Sequence, residues 1–526
     1  MRVTLDALGD SVADGNVARM YDTTAELRAA APAIEARDRT VSHAEFRNAT
    51  RTFAGGLHDL GLSPGDPVLL YLPNCPEFLV TSVGCFRAGT PVSPVNPQYR
   101  SRELAYQLDD TGAAAVVTHV ALREHLAEAL TETDADPVVV TVGDRKAITA
   151  DDVPFDEVDG DPTTVDVNGH HVASLPYTSG TTGRSKGVRL THDNVRAQLL
   201  TTVATRTDEL TPDEVASLVW LPLYHITGFV HTALQPLVRG GRLHIRSAAN
   251  WDAETAMALI ESERISEFVG VTAMYADMVG SDAFGDYDLT SLEQAAEGGA
   301  KLTPAVQEAF EATAKVDIYE GYGLTETTGA THSQVGSVYG SRHGTVGQPL
   351  RHTDCRIVDS DGEEVSPGET GELLVRGPSV MDGYHERPEA TEEAFTDAGF
   401  FRTGDIARRD AEGYYEIVDR KKHVIVTAGY NVYPSEVEDL LAEHEAVREA
   451  AVVGVPDERR NETVKAYVVP ANGDPDDPGV TAEEIREFSL DNVAAYKHPR
   501  EVAFIAELPR TASGKIQKFK LEEESA

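Results

Sequence analysis

Residues 174–188 read Ser-Leu-Pro-Tyr-Thr-Ser-Gly-Thr-Thr-Gly-Arg-Ser-Lys-Gly-Val. Gly180, Gly183 and Gly187 let the backbone turn tightly and approach a ligand, and Thr178, Ser179, Thr181, Thr182 and Lys186 supply hydroxyls and one ammonium. Backbone N–H groups, hydroxyls and a lysine together form a cradle for phosphate oxygens. The spacing does not match the G-x-x-x-x-G-K-[ST] nucleotide loop. Composition alone also allows a flexible Gly/Ser/Thr linker, and the residues downstream decide between the two.

Seven further stretches carry usable chemistry. Pro222–Phe229 places His225 on an apolar run, where a histidine is most often a satisfied core residue. Glu297-Gly298-Gly299-Ala300 lets a flat ring approach the backbone. Tyr319-Glu320-Gly321-Tyr322-Gly323-Leu324-Thr325-Glu326 offers an aromatic face, a hydroxyl and a carboxylate, and a carboxylate beside a phosphate cradle is a natural Mg²⁺ ligand. Phe401-Arg402-Thr403-Gly404-Asp405 and Val418-Asp419-Arg420-Lys421-Lys422 provide an acid for ribose hydroxyls and an arginine to reinforce it. Thr427–Glu438 contains Gly429, and Pro509–Lys518 contains Lys515, which in isolation reads as a solvated charge.

The elements that must position these groups follow from apolar patterning. Runs at 67–72, 90–95, 113–117 and 137–142 predict buried strands, with helices at 77–87, 101–108 and 121–130 between them. The alternation predicts a parallel sheet covered on both faces. A second alternation from 172 to 320 predicts strands at 217–221, 242–245, 267–271 and 316–319 and helices at 194–205, 254–263 and 304–313. Residues 1–40 read as a lead-in and 143–168 as a surface connection. The Gly-rich stretch 344–416 predicts a small β subdomain. Beyond about Asp419, helices at 434–443 and 482–490 flank strands at 450–455 and 464–469.

The chain has 526 residues, enough for several domains, with 41% hydrophobic and 25% charged residues as in globular proteins. No apolar run reaches the ~18–20 residues of a membrane span, and the acidic start, Met1 to Asn16, does not resemble a signal peptide. Three scattered cysteines form no disulfide framework or zinc pattern, so a cytoplasmic location is expected. Asp and Glu total 87 against 46 Lys and Arg, a formal net charge of −41. That balance argues against nucleic acid and anionic membranes as partners, and it fits adaptation to a salty cytoplasm.

Taken in order, these motifs resemble the adenylate-forming superfamily of acyl-CoA synthetases, aryl-CoA ligases, firefly luciferase and peptide-synthetase adenylation domains. The likeness runs from about Val41 to Lys518. It implies an α/β fold in which a large N-terminal domain (1–419) holds two α/β sheet subdomains and a small β subdomain. A small mobile α+β C-terminal domain (420–526) follows. It also implies two half-reactions: a carboxylic acid and ATP give acyl-adenylate and pyrophosphate, then the thiol of coenzyme A displaces AMP.

The resemblance carries roles onto this chain. Thr178, Ser179, Gly180, Thr181, Thr182, Gly183 and Lys186 would hold the β- and γ-phosphates. Gly298, Gly299 and Ala300 would line the adenine site and Tyr322 would stack on the base, with Glu320 and Gly321 also in the ATP/AMP-binding site. Thr325 would touch the α-phosphate, Glu326 would hold Mg²⁺, and Asp405 with Arg420 would grip the ribose. Lys422 matches the hinge position, Gly429 would line the pantetheine tunnel, and Lys515 would bridge the acyl carboxylate and the α-phosphate. His225, Thr227 and Gly323 would shape the acyl pocket, where Gly323 stands in the place of the bulky tryptophan of acetate-specific relatives. No Asp lies between Pro222 and Arg239 to hold an amino-acid amine. A medium- or long-chain fatty acid is the expected substrate, with an aryl acid or a non-catalytic acyl-adenylate binder as alternatives. A homodimer is compatible with all of these.

Overall fold

The computed structural model describes residues 8, 15–36, 39–178, 185–205, 215–299, 302, 304–427, 430–457, 459–510 and 516–523. Its contacts divide the chain into two compact units, residues 1–354 with 375–401, and residues 355–374 with 402–526.

The first unit is built on two large sheets. Among the described residues, one has seven strands in the order Leu190–Thr191, Val172–Ser174, Val92–Pro94, Val68–Tyr71, Ala115–His119, Val138–Val142, Val153–Pro154. All neighbours are parallel except the Leu190–Thr191 edge. Val68 and Leu70 enter one hydrophobic core while Leu69 and Tyr71 enter another, so both faces are covered. This is why the strands read as unbroken apolar runs. The helices between them end where expected. Pro76–Ala88 stops at Gly89 (φ 74°) and Ser101–Thr111 at Gly112 (φ 61°), left-handed positions that favour glycine.

Among the described residues the second sheet has nine strands in the order Gln348–Pro349, Gly329–Ser333, Ile318–Leu324, Gln294–Gly298, Glu267–Gly270, Ala216–Val219, Arg242–Ile245, Pro32–Ala36, Arg39–Ser42. Its six central strands are mutually parallel. Leu218 and Val219 enter different cores, so this sheet too is covered on both faces.

The sequence reading of 1–40 as a lead-in needs correction. Pro32–Ala36 is a parallel neighbour of Arg242–Ile245, with Ile34 opposite Leu243, and both are fully buried. The helix Arg19–Arg28 before it is anchored by Asp22, which accepts from the buried Arg87 guanidinium at 2.9 Å. The helix His43–Asp59 after it starts on a Ser42–Glu45 capping box. The connection 143–168 is also more tightly bound than a surface loop, since Phe155 stacks on Phe53 with centroids 5.2 Å apart.

The second unit opens on a four-stranded sheet, Asp354–Val358, Thr370–Arg376, Phe401–Arg409 and Tyr415–Arg420 in that order, in keeping with the expected β subdomain. A five-stranded sheet follows, centred on the long antiparallel pair Val447–Asp457 and Asn461–Pro470. Helices Pro434–Ala442 and Ala482–Asn492 contribute Val437, Leu441 and Ile485 to the core on one of its faces. Lys518, at the start of the last helix, pairs with Glu438 of Pro434–Ala442 at 2.7 Å.

Candidate active site

The phosphate-cradle stretch is a hairpin. Tyr177–Thr178 pairs antiparallel with Lys186–Gly187, placing Thr178 opposite Lys186 and Gly187 opposite Tyr177. A Cβ on Gly187 would lie 3.1 Å from the Tyr177 ring, so any larger residue there would require the ring to give by a few tenths of an ångström. The hairpin is tied down from below. The Tyr177 hydroxyl donates to Asp110 at 2.8 Å, Asp110 also takes Arg387, and the Tyr106 hydroxyl donates to the Ser185 carbonyl at 2.7 Å.

The motifs expected to line the adenine site lie at the carboxyl ends of adjacent parallel strands, where ligands bind in open α/β sheets. Gln294–Gly298 and Ile318–Leu324 run parallel, with Gly298 opposite Gly321. Gly299 follows at φ 126°. Tyr322 is half-buried, its ring centroid 5.8 Å from that of His332. Glu320 is buried instead, with its Oε2 3.5 Å from the Leu302 amide. Thr325 opens a short 3₁₀ turn, Thr325–Thr327, and Thr328 closes it at φ 59°.

His225 is exposed and precedes the next segment, its Nδ1 accepting from the Thr227 amide at 3.3 Å. That segment, Thr227–Leu234, is a π-helix, a rare geometry that occurs frequently at functional sites. Its Thr227 methyl is 3.6 Å from where a Gly298 Cβ would stand. One helical step on, His231 Nε2 accepts from the Ala330 amide at 3.1 Å. Gly323 is demanded by backbone proximity, since a Cβ there would meet the Gly329 carbonyl oxygen at 1.9 Å.

The strap 379–385 holds the cradle and the Thr325–Glu326 turn in register. The Met381 amide donates to the Glu326 carbonyl (2.8 Å), and Thr328 Oγ1 donates to the Ser379 carbonyl (2.7 Å). Further along, Asp382 N donates to Arg189 O, Arg189 N to Gly383 O, and His385 N to Gly187 O, all within 3.0 Å. Tyr384 lies in this strap. Its hydroxyl donates to Glu326 Oε1 at 3.1 Å, and its ring faces the Lys186 ammonium at 4.8 Å. Burial and the Glu326 charge push its phenol well above the ordinary tyrosine range, so it remains a donor. Nothing in the sequence marks Tyr384 beyond its place after a glycine.

In the second unit, Asp405 and Arg420 face each other on antiparallel strands, with Arg420 Nε 2.7 Å from Asp405 Oδ1. Asp405 is buried, and Arg420 is its charged partner. Lys422 is exposed on the following 3₁₀ turn, Lys421–His423. Asp419 anchors the chain beside it, accepting from the Ser435 amide at 2.8 Å and the Arg420 amide at 2.7 Å. Ser179, Gly180, Thr181, Thr182, Gly183, Ala300, Gly429 and Lys515 lie outside the described residues.

Two mostly parallel sheets covered on both faces, with glycines at the carboxyl ends of adjacent strands, define an α/β architecture of the kind that binds ligands at that edge. Residues 21–385 match the family model for the AMP-binding enzyme, and residues 436–515 match that for the AMP-binding enzyme C-terminal domain. A long-chain-fatty-acid–CoA ligase of Salmonella typhimurium is 33% identical, with 97% of this chain and 94% of that protein covered. A feruloyl-CoA synthase of an Amycolatopsis species is 36% identical, with 93% and 94% covered. The crystal structure of ATP-bound MatB from Rhodopseudomonas palustris superimposes with a TM-score of 0.85 at 29% identity, with 100% of this chain and 99% of that chain covered. The chain belongs to the AMP-binding enzyme family, and its reaction class is that of an AMP-forming acid–CoA ligase.

Proposed function

We propose that this enzyme activates a medium- or long-chain fatty acid. The carboxylate oxygen attacks the α-phosphorus of ATP and pyrophosphate leaves. The sulfur of coenzyme A then attacks the acyl carbon and AMP leaves. The observation that carries the site reading is the convergence of Lys186, Tyr384 and Glu326 in the first unit. A phosphate-directed cation and a carboxylate are held there by one side chain. In this reading Thr178 to Gly183 and Lys186 take the β- and γ-phosphates, Gly298, Gly299, Ala300, Gly321 and Tyr322 the adenine, and Thr325 the α-phosphate. Asp405 and Arg420 take the ribose, Lys515 bridges the two reacting anions, and Gly429 serves the pantetheine arm.

Mg²⁺ is ordinarily held by one or two carboxylates together with substrate phosphates and water. The half-buried Glu326, steadied at Oε1 by a phenol, fits that pattern. It would hold the ion, which would offset the negative charge gathering on the departing pyrophosphate. We place the enzyme in a reducing cytoplasm, in keeping with the small number and wide scatter of its cysteines, Cys75, Cys85 and Cys355.

The fatty-acid assignment is supported by the Salmonella relative, and the aryl alternative by the slightly higher identity to the feruloyl-CoA synthase. One product scan separates them. The protein is incubated with ATP, Mg²⁺, molar KCl and a panel of C2–C18 and aryl acids, with and without coenzyme A, and read by mass spectrometry. Acyl-CoA from C8–C18 acids is the expected result. Product from aryl acids alone would transfer the assignment. Acyl-AMP without acyl-CoA would point to another acceptor.

A further inference from the structure

We infer that Tyr384 is a positioning residue for the adenylation step, holding the Glu326 carboxylate with its hydroxyl and the Lys186 ammonium with its ring face. The inference rests on the reading that Lys186 and Glu326 act on ATP, and it adds a residue to which no motif in the chain assigns a role. Three observations support it. The hydroxyl reaches Oε1 at 3.1 Å while the ring centroid is 4.8 Å from Nζ, so one side chain serves both groups. The Tyr384 backbone is itself fixed, since Val188 forms an antiparallel bridge with it and its amide donates to Thr391 Oγ1 at 2.9 Å. Its ring also packs on the main core of the first unit, which limits its rotamers.

The chemistry explains why a tyrosine stands here. A direct lysine–glutamate pair would commit the two charges to each other. A phenol gives the carboxylate a neutral donor and the ammonium a π face without joining the two in a direct ion pair, so each can turn toward the MgATP that arrives. Hydrogen bonds from an outer shell that orient a ligating carboxylate commonly change metal affinity or activity 10–100-fold when removed.

The test compares wild type, Tyr384→Phe and Tyr384→Leu. ATP binding is measured by calorimetry in EDTA and across a Mg²⁺ titration. Pyrophosphate release and thioester formation from supplied acyl-adenylate are measured separately. Tyr384→Phe keeps the ring, so ATP affinity in EDTA should stay within about 2-fold of wild type. The Mg²⁺ concentration that gives half the gain in ATP affinity should rise ~10-fold, and adenylation should slow by a similar factor with KM for the acid unchanged. Thioester formation from acyl-adenylate should hold. Tyr384→Leu should in addition weaken ATP binding in EDTA several-fold. Wild-type Mg²⁺ dependence and adenylation in Tyr384→Phe would overturn the proposal. So would equal losses in both half-reactions accompanied by a lower unfolding midpoint, because that is the signature of a purely structural residue. Glu326→Gln and Lys186→Ala run alongside. If Glu326→Gln leaves the Mg²⁺ dependence untouched, the underlying assignment of Glu326 fails, and not only the role of Tyr384.

Discussion

A carboxylate and a triphosphate repel each other, and Lys515 is the side chain proposed to stand between them. A preorganised cation at that point stabilises charge that develops only in the transition state. Lys515→Ala should therefore slow pyrophosphate release ~10²-fold or more, while thioester formation from supplied acyl-adenylate persists. Equal loss in both steps would remove Lys515 from the first one. A second residue-scale prediction concerns stability. Burial holds the His332 ring down to about 3, so it is neutral in the folded protein at neutral pH. An unfolded histidine titrates near 6.5. As pH falls below that value the unfolded chain takes up a proton that the folded chain refuses, so stability declines toward the folded pKa by about 1.4 kcal/mol per pH unit for such a ring. Denaturant titrations at pH 7 and pH 5 should show His332→Gln losing about 2 kcal/mol less than wild type over that interval. Equal losses would mean that the ring is not held neutral. At this scale the sequence revealed the motif residues, because glycines, hydroxyls and charges cluster locally. It could not reveal Tyr384, which meets Glu326 across 58 positions of chain.

The same division between local and tertiary information appears in the elements. Strands such as Val68–Tyr71 and Ala216–Val219 were legible because burial on both faces demands consecutive apolar residues. Gln294–Gly298 was not, because Gln-Ala-Ala-Glu-Gly has no apolar run and owes its place to two parallel neighbours. Pro32–Ala36 was missed for a similar reason, since its partner Arg242–Ile245 is two hundred residues away in sequence. The π-helix Thr227–Leu234 follows neither the 3.6 nor the 2.0 period that patterning detects. Gly323 shows how the element scale changes a residue's meaning. As a gap in an acyl pocket it could be filled by alanine with only a narrowing of substrate range. In the structure its strand bends at Tyr322–Gly323, where the pairing with Gly329–Ser333 shifts register. With the Gly329 oxygen 1.9 Å from an added Cβ, alanine must push the two strands apart. Gly323→Ala should lower stability by ~1–3 kcal/mol and reduce turnover of every acid in the panel, read by denaturant titration and the product scan. An alanine variant of unchanged stability that loses only the longest acids would restore the pocket reading.

At the scale of the whole molecule the dominant quantity is charge. A net −41 makes the folded chain repel itself, and it also opposes two polyanionic substrates, ATP and coenzyme A. Few cations are available to compensate locally, and several are already committed to acids, as Arg87 is to Asp22, Arg123 to Asp152 and Arg420 to Asp405. Such a surface is tolerable where mobile ions do the compensating, since the Debye length shrinks from ~10 Å at 0.1 M to ~3 Å at 1 M salt. A halophilic setting would therefore make one composition serve both solubility and substrate approach. The unfolding midpoint should rise steadily between ~0.1 M and molar KCl, and KM for coenzyme A should fall over the same range. The two effects separate the causes. KCl screens charge with little effect on apolar burial, whereas sulfate salts strengthen burial as well, so matching ionic strength with sodium sulfate tests whether screening alone is responsible. Equal stability at low and molar KCl would show that the acids are already neutralised within the fold, and the acidity would then need another explanation.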